Sequence, residues 1–186
     1  MVIVKMKTRH MGVFFALILV CAMGCGFYKY KQSIEVEKYF ESISFNVGEF
    51  GRNNLVSFLV SSDSDITNKN IEIFDIARGE VVREVEANPV ARKEALGYLA
   101  KITGMFGKVR AFPEKGYIVR VPLVPSAEIN NKWLTDYGVN SLDQVFIIFP
   151  KQTIPYLLVL DEKNRPLFFN FEGGINTLLE NLNLKL

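Results

Sequence analysis

Cysteine and histidine are almost absent from this sequence, and their few positions exclude several kinds of chemistry. Both cysteines, Cys21 and Cys25, fall within one uncharged run near the N-terminus. The remainder therefore has no thiol for a disulfide, a metal or covalent catalysis. The single histidine, His10, precedes the same run, so the remainder also lacks the imidazole of Ser-His-Asp triads and of histidine-based metal sites. We predict neither a cofactor nor a metal site.

A strong excess of either charge is also missing. The chain has 22 lysines and arginines and 20 acidic residues. Three of the basic residues, Lys5, Lys7 and Arg9, precede the uncharged run, which leaves 22 − 3 = 19 for the part that holds all the acidic ones. Nucleic-acid binding needs a basic surface that neutralises phosphates, so we exclude DNA and RNA as partners.

One long uncharged segment is present, from Met11 to Tyr28 (MGVFFALILVCAMGCGFY). As a helix it would span roughly 27 Å, which is close to the thickness of the hydrocarbon core of a bilayer. The basic residues before it favour an N-terminus inside and the rest outside. We predict a short basic cytoplasmic segment (1–10), a single-pass anchor (11–28), a stalk (29–43) and an extracytoplasmic domain (44–186).

The residues from Ala22 to Cys25 allow two further interpretations of this segment. Small residues stand where a signal peptidase cleaves, and the sequence resembles a bacterial lipoprotein signal, in which Gly24 and Cys25 match and Ala22 stands where leucine is usual. The resemblance implies that Cys25 is lipidated. Cleavage without lipidation is the third interpretation. In each of the three, the domain lies outside the cytoplasm, in the envelope of a bacterial cell.

The remainder has the patterns of one α+β domain. Short apolar or alternating runs predict strands at 55–60, 71–76, 80–85, 108–112, 117–121, 144–149, 156–160 and 167–171. A helix should begin at Pro89, with Asn88 as its N-cap, and end before Gly104. Further helices are predicted at 130–137 and over the apolar stripe of 175–186.

The order of these elements predicts a mostly antiparallel sheet with helices on one face. Two prolines, Pro122 and Pro125, follow the strand at 117–121. Because proline cannot donate a backbone hydrogen bond, we expect an edge of the sheet there.

The C-terminal part, from Phe149 onward, also resembles the second half of a thioredoxin fold. The resemblance lies in Thr153-Ile154-Pro155, the hairpin that follows, Gly173-Gly174 and an amphipathic helix; in that family a cis-proline begins such a hairpin. It implies a thioredoxin-like α/β fold without active-site cysteines as an alternative. The redox chemistry of that family needs a Cys-x-x-Cys pair, so no activity is carried over.

No stretch has a catalytic motif, which favours a protein that is not an enzyme. We predict a non-catalytic binding or assembly module of an envelope complex, whose partners are the membrane and another envelope protein. The partner-binding candidates are the aromatic residues Tyr117, Trp133 and Tyr137. The sequence leaves the oligomeric state open.

Two alternative functions stay open. Acid–base hydrolysis of a glycoside needs two carboxylates about 5 to 10 Å apart, and the candidates are Glu128, Asp136 and Asp143. A small-ligand or lipid-binding domain would instead need an apolar cavity among the 15 phenylalanines.

Overall fold

The computed structural model of the chain describes residues 49–61, 70–107 and 111–186. The predicted anchor with Cys25, the stalk and the first three residues of the predicted strand at 108–112 lie outside the described residues. All described residues belong to one unit, Tyr39–Leu186. In this part of the chain no helix has the length and apolar character needed to cross a membrane.

Seven strands form one antiparallel sheet in the order β2-β1-β4-β5-β6-β7-β3. The strands are β1 (Asn70–Asp75), β2 (Glu80–Glu86), β3 (Ile102–Met105), β4 (Gly116–Glu128), β5 (Ser141–Pro150), β6 (Tyr156–Leu160) and β7 (Pro166–Phe171). The helices are α1 (Glu49–Ser61), α2 (Pro89–Ala100), α3 (Lys132–Thr135) and α4 (Asn176–Asn181). The predicted α+β class with a mostly antiparallel sheet is therefore confirmed.

The thioredoxin-like alternative is wrong, because that fold requires parallel strand pairs and every described pair is antiparallel. The cis peptide bond in the described residues joins Val124 to Pro125. The resemblance to a thioredoxin fold implied a cis bond before Pro155 instead.

The first hairpin and the helix after it form as their sequences predict. Gly79, between β1 and β2, has a φ of 68°, which a glycine adopts without strain. At the start of α2 the side chain of Asn88 accepts a hydrogen bond from the N–H of Ala91. The predicted helix end before Gly104 is wrong, because α2 ends at Ala100 and Gly104 lies in β3, opposite Asn170 of β7.

Helices α2, α3 and α4 cover one face of the sheet, which we call the α2 face. Its core is formed by alternate strand residues such as Ile73, Val119 and Ile147, packed under Leu99 of α2 and Leu178 of α4. The C-terminal helix is shorter than its apolar stripe predicts, because α4 ends at Asn181 and Leu186 is exposed.

Helix α1 packs against the opposite face, which we call the α1 face. The ring of Phe58 lies 4.8 Å from that of Phe74 and 5.9 Å from that of Phe146, centroid to centroid, and both partners alternate along their strands with residues of the α2 face. The prediction that all helices lie on one face of the sheet is therefore wrong. The predicted strand at 55–60 is also wrong, because these residues belong to helix α1. Leu55, Phe58 and Leu59 are buried as an i, i+3, i+4 helical stripe.

The predicted sheet edge at 117–125 is correct for only part of that range. Tyr117 to Arg120 pair with β1 on one side and β5 on the other, so this stretch is central. Beyond Arg120, only β5 pairs with β4 among the described strands, and both prolines lie there. At 108–112, the described residues Ala111 and Phe112 belong to no strand.

The remaining predicted elements are confirmed. The apolar run at 144–149 lies in β5, between β4 and β6. The strands at 156–160 and 167–171 form the hairpin of β6 and β7. The short helix within 130–137 is α3, and its N-cap is Asn131, whose side chain accepts the N–H of Trp133.

Candidate functional site

A mainly apolar concave surface lies where the sheet becomes narrower. On this side of the sheet, β1 begins at Asn70 and β2 stops at Glu86, opposite it in the ladder. Strand β4 continues beyond both of them to Glu128. Beside this step is a groove of about 380 Å³, which we call the β4 groove. It is lined by Glu86 at the end of β2 and Ala87 after it, by Asn88, Pro89 and Arg92 at the start of α2, and by Pro122 and Val124 of β4.

The sequence of β4 explains why this step forms. The register between β4 and β5 shifts between Pro122 and Ala127, so the residues in between leave the regular ladder. The two prolines of this stretch have no N–H to offer a neighbouring strand. The guanidinium of Arg92 donates a hydrogen bond of 2.8 Å to the carbonyl oxygen of Pro125, which holds the irregular stretch against α2.

Two apolar side chains beside the groove remain in contact with water. Val124 is 46% exposed and Val90 is 43% exposed. Single exposed valines are common on protein surfaces, but here Val124 lines a concave surface that already contains two prolines, and Val90 follows one of them, Pro89, in the chain. This combination is typical of a surface that binds an apolar segment.

The structure brings together two of the three predicted aromatic residues. Trp133 lies in α3, Tyr137 follows the helix by two residues, and they are 43% and 46% exposed. Trp133 lies beside Gly104 of β3, and Tyr137 meets the ring of Phe169 of β7 edge-on. Tyr117 is half-buried in β4, three strands from β7, which corresponds to about 14 Å across the sheet.

The three candidate carboxylates do not line one common cleft. All three are exposed. Glu128 is opposite Ser141 in the ladder of β4 and β5, so Asp143 is its diagonal neighbour, whereas Asp136 is the C-cap of α3. Asp143 lines a cleft of about 260 Å³ that neither Glu128 nor Asp136 lines. Their predicted role in hydrolysis stays a prediction.

A buried ion pair lies under α1. Arg120 is 5% exposed, and its Nη2 is 2.8 Å from Oε1 of Glu72, directly opposite in the ladder of β1 and β4. The contact has the distance of an ion pair but lies outside hydrogen-bond geometry, and Nε of Arg120 has no acceptor in the described residues. Removing one partner of such a pair leaves an uncompensated charge, so we expect the loss of either Arg120 or Glu72 to destabilise the domain.

The hydroxyl groups of two buried tyrosines form hydrogen bonds within the domain. The Tyr156 hydroxyl donates a 2.6 Å hydrogen bond to the carbonyl oxygen of Ala111, and burial raises its pKa. The Tyr98 hydroxyl lies 3.2 Å from both the Glu94 carboxylate and the Gly174 carbonyl. Burial raises the pKa of Tyr98, and the charge of Glu94 and the hydrogen bond to it raise it further. Both groups therefore stay protonated at neutral pH.

No side-chain cluster suited to a metal ion occurs in the residues that the structure describes, since no three His, Cys, Asp or Glu converge there. No protein-family model matches the chain, and no curated protein and no solved structure is significantly similar to it.

Sequence reasoning missed most of the groove. The prolines of β4 indicate an edge, but Pro89 and Arg92 by themselves indicate only a helix start and a wet helix face. Pro89 and Arg92 line the groove only because β1 begins at Asn70 and α2 packs beside β4. No local sequence pattern predicts either of these two features. The apolar residue Val90, on the solvent side of α2, was the one local signal.

Proposed function

We propose that this chain is a non-catalytic binding or assembly module, anchored to a membrane by its N-terminal segment, whose outer domain binds another protein of the cell envelope. The β4 groove is the observation that supports this proposal. It lies at a local edge of the sheet, it is lined by apolar and proline residues, and α2 and β4 hold it in a fixed shape.

The lining of the groove defines the kind of segment that would bind. Pro89, Pro122 and Val124 offer apolar contact, and the half of β4 beyond Arg120 leaves one side of its backbone without a described neighbouring strand. An extended apolar segment suits this surface, because it buries its side chains against the prolines and Val124 of the groove. Glu86 and Arg92 would contact the polar groups that flank the segment.

The predicted anchor would make a weak interface sufficient. Two proteins in one membrane meet at a high effective concentration, since tethering makes their encounter nearly intramolecular. The groove has seven lining residues, whereas each side of a stable soluble complex contributes about 20 to 30 residues. The proposal therefore predicts binding in the membrane and little binding by the detergent-extracted chain.

A site-specific photocrosslink tests the proposal. A photoreactive amino acid replaces Val90, which follows the lining residue Pro89, in the full chain expressed in its membrane. We expect one discrete crosslinked product, and we expect Val124→Glu in the same chain to abolish it, because a carboxylate cannot enter an apolar contact without losing its hydration.

The matched control carries the photoreactive residue at Lys163, which is exposed in the turn between β6 and β7. Position 163 should give no discrete product. A product from position 90 that persists with Val124→Glu, or the recovery of the uncrosslinked chain alone, would contradict binding at this groove.

A further inference from the structure

A pair of lysines occupies the end of the ladder between β4 and β5. The last pair of that ladder is Gly116 with Pro150. The next residues, Lys115 and Lys151, are therefore opposite each other, and the N–H of Lys151 donates a 3.2 Å hydrogen bond to the carbonyl oxygen of Lys115. The backbone thus fixes two exposed ammonium-bearing residues side by side.

The backbone between them has little freedom. Gly116 has a φ of 137°, and a Cβ atom added there would collide with the carbonyl oxygen of Phe149. The carbonyl of Gly116 also accepts a hydrogen bond from the N–H of Ile76. The strand ends that carry both lysines are therefore held from both sides.

Both lysines line the same two clefts. The larger, of about 380 Å³, also includes Gln152, Thr153 and one carboxylate, that of Glu114. The smaller, of about 200 Å³, includes Asp75 and Tyr117. The carboxylate of Asp75 already accepts hydrogen bonds from the N–H groups of Ala77 and Arg78, so it is engaged in its own turn.

The charge balance of the larger cleft is positive. Like charges directly opposite each other destabilise a strand pair, and neither lysine forms an ion pair within the described residues. The larger cleft has two ammonium groups and one carboxylate among its lining residues. Lys115 and Lys151, together with the amide of Gln152 and the hydroxyl of Thr153, make the larger cleft rich in hydrogen-bond donors.

We infer that the cleft between Lys115 and Lys151 binds a phosphate-bearing anion. A phosphate group accepts several hydrogen bonds and neutralises two adjacent ammonium groups at once, which removes the repulsion between them. The same chemistry is offered by a soluble phosphate compound and by the headgroup of an anionic phospholipid.

The test uses the full chain in discs of zwitterionic lipid, with its lysines labelled by ¹³C-methylation, which preserves their charge. Addition of inorganic phosphate should shift the NMR signals of Lys115 and Lys151 in a saturable way, while Lys93, exposed on α2, serves as the reference. Discs that contain phosphatidylglycerol, without added phosphate, form the second arm. A shift in the first arm identifies a soluble phosphate ligand, and a shift in the second alone identifies a lipid headgroup.

Three substitutions and one control variant give the sign of the effect. Lys115→Gln and Lys151→Gln should each weaken binding about fivefold, as read from the remaining lysine, because each removes one favourable charge. Glu114→Gln should strengthen it, and Lys93→Gln should leave it unchanged. Shifts that never saturate, or that are equal at Lys93, Lys115 and Lys151 in both arms, would overturn the inference.

Discussion

The turn between β6 and β7 depends on one carboxylate. Asp161 is buried, and its oxygens accept hydrogen bonds from the backbone N–H groups of Lys163 and Arg165 and from Nε of Arg165. Burial by itself opposes ionisation of Asp161, but these hydrogen bonds and the charge of Arg165 outweigh it and lower the pKa of the carboxyl group. The ionised form is therefore the one that stabilises the turn.

We predict that Asp161→Asn lowers the free energy of unfolding by about 1 to 2 kcal/mol at neutral pH, because hydrogen bonds to a charged acceptor are the stronger kind. The lowered pKa means that the stabilisation is complete above the ordinary carboxyl value of 3.8 and is lost as the pH falls through the lower value of the folded state. Urea unfolding of both proteins at several pH values measures the difference.

The exposed neighbour Glu162 provides the control for this comparison. Glu162→Gln should change the stability little at any pH, because surface substitutions without specific contacts have small effects. A difference between the natural chain and Asp161→Asn that stays constant down to pH 2 would contradict the assigned role of the ionised carboxylate.

At the scale of the elements, the start of β4 requires a backbone conformation that residues other than glycine rarely adopt. Its first residue, Gly116, has a positive φ and no space for a side chain. Gly97, in the middle of α2, has open space where a methyl group would lie, with no atom from outside its own helix backbone within 4 Å. The same substitution should therefore have opposite effects at the two sites.

We predict that Gly116→Ala destabilises the domain by more than about 1 kcal/mol, because the new methyl group collides with the backbone of β5 and forces a strained φ. Gly97→Ala should stabilise it by up to about 1 kcal/mol, since alanine is the better residue within a helix. Thermal unfolding of the two variants beside the natural chain measures both. If the Gly116→Ala variant were as stable as the natural chain, this would contradict the described backbone conformation at the start of β4.

Helix α1 illustrates why an element can be assigned wrongly from sequence. The run Leu55 to Val60 is apolar and short, and such runs do not distinguish a buried strand from a buried helix segment. The burial of Leu55, Phe58 and Leu59, with Ser57 exposed, selects the helix. The partners that decide this, Phe74 and Phe146, lie far along the chain.

At the scale of the whole molecule, local signals predicted most elements but not their arrangement. Both hairpins have turn residues that specify them, and β5 is apolar from Val145 to Phe149 because both faces of the sheet are covered there. The position of β3 has no such signal. It follows α2 directly, yet it pairs with β7 at the far edge of the sheet. The β4 groove is equally non-local, because it exists only where β1 stops beside β4.

The central claim of this account is that the described domain works outside the cytoplasm while an N-terminal anchor holds it at a membrane. Labelling with a maleimide that cannot cross membranes tests it most directly, in spheroplasts that express the full chain with Lys163→Cys or, separately, Thr8→Cys, and the natural chain gives the background labelling of its own Cys21 and Cys25. The account predicts that Cys at position 163 is labelled without lysis, and that position 8, if the anchor is uncleaved, is labelled only after lysis. Labelling of position 163 only after lysis would place the domain in the cytoplasm and contradict the account.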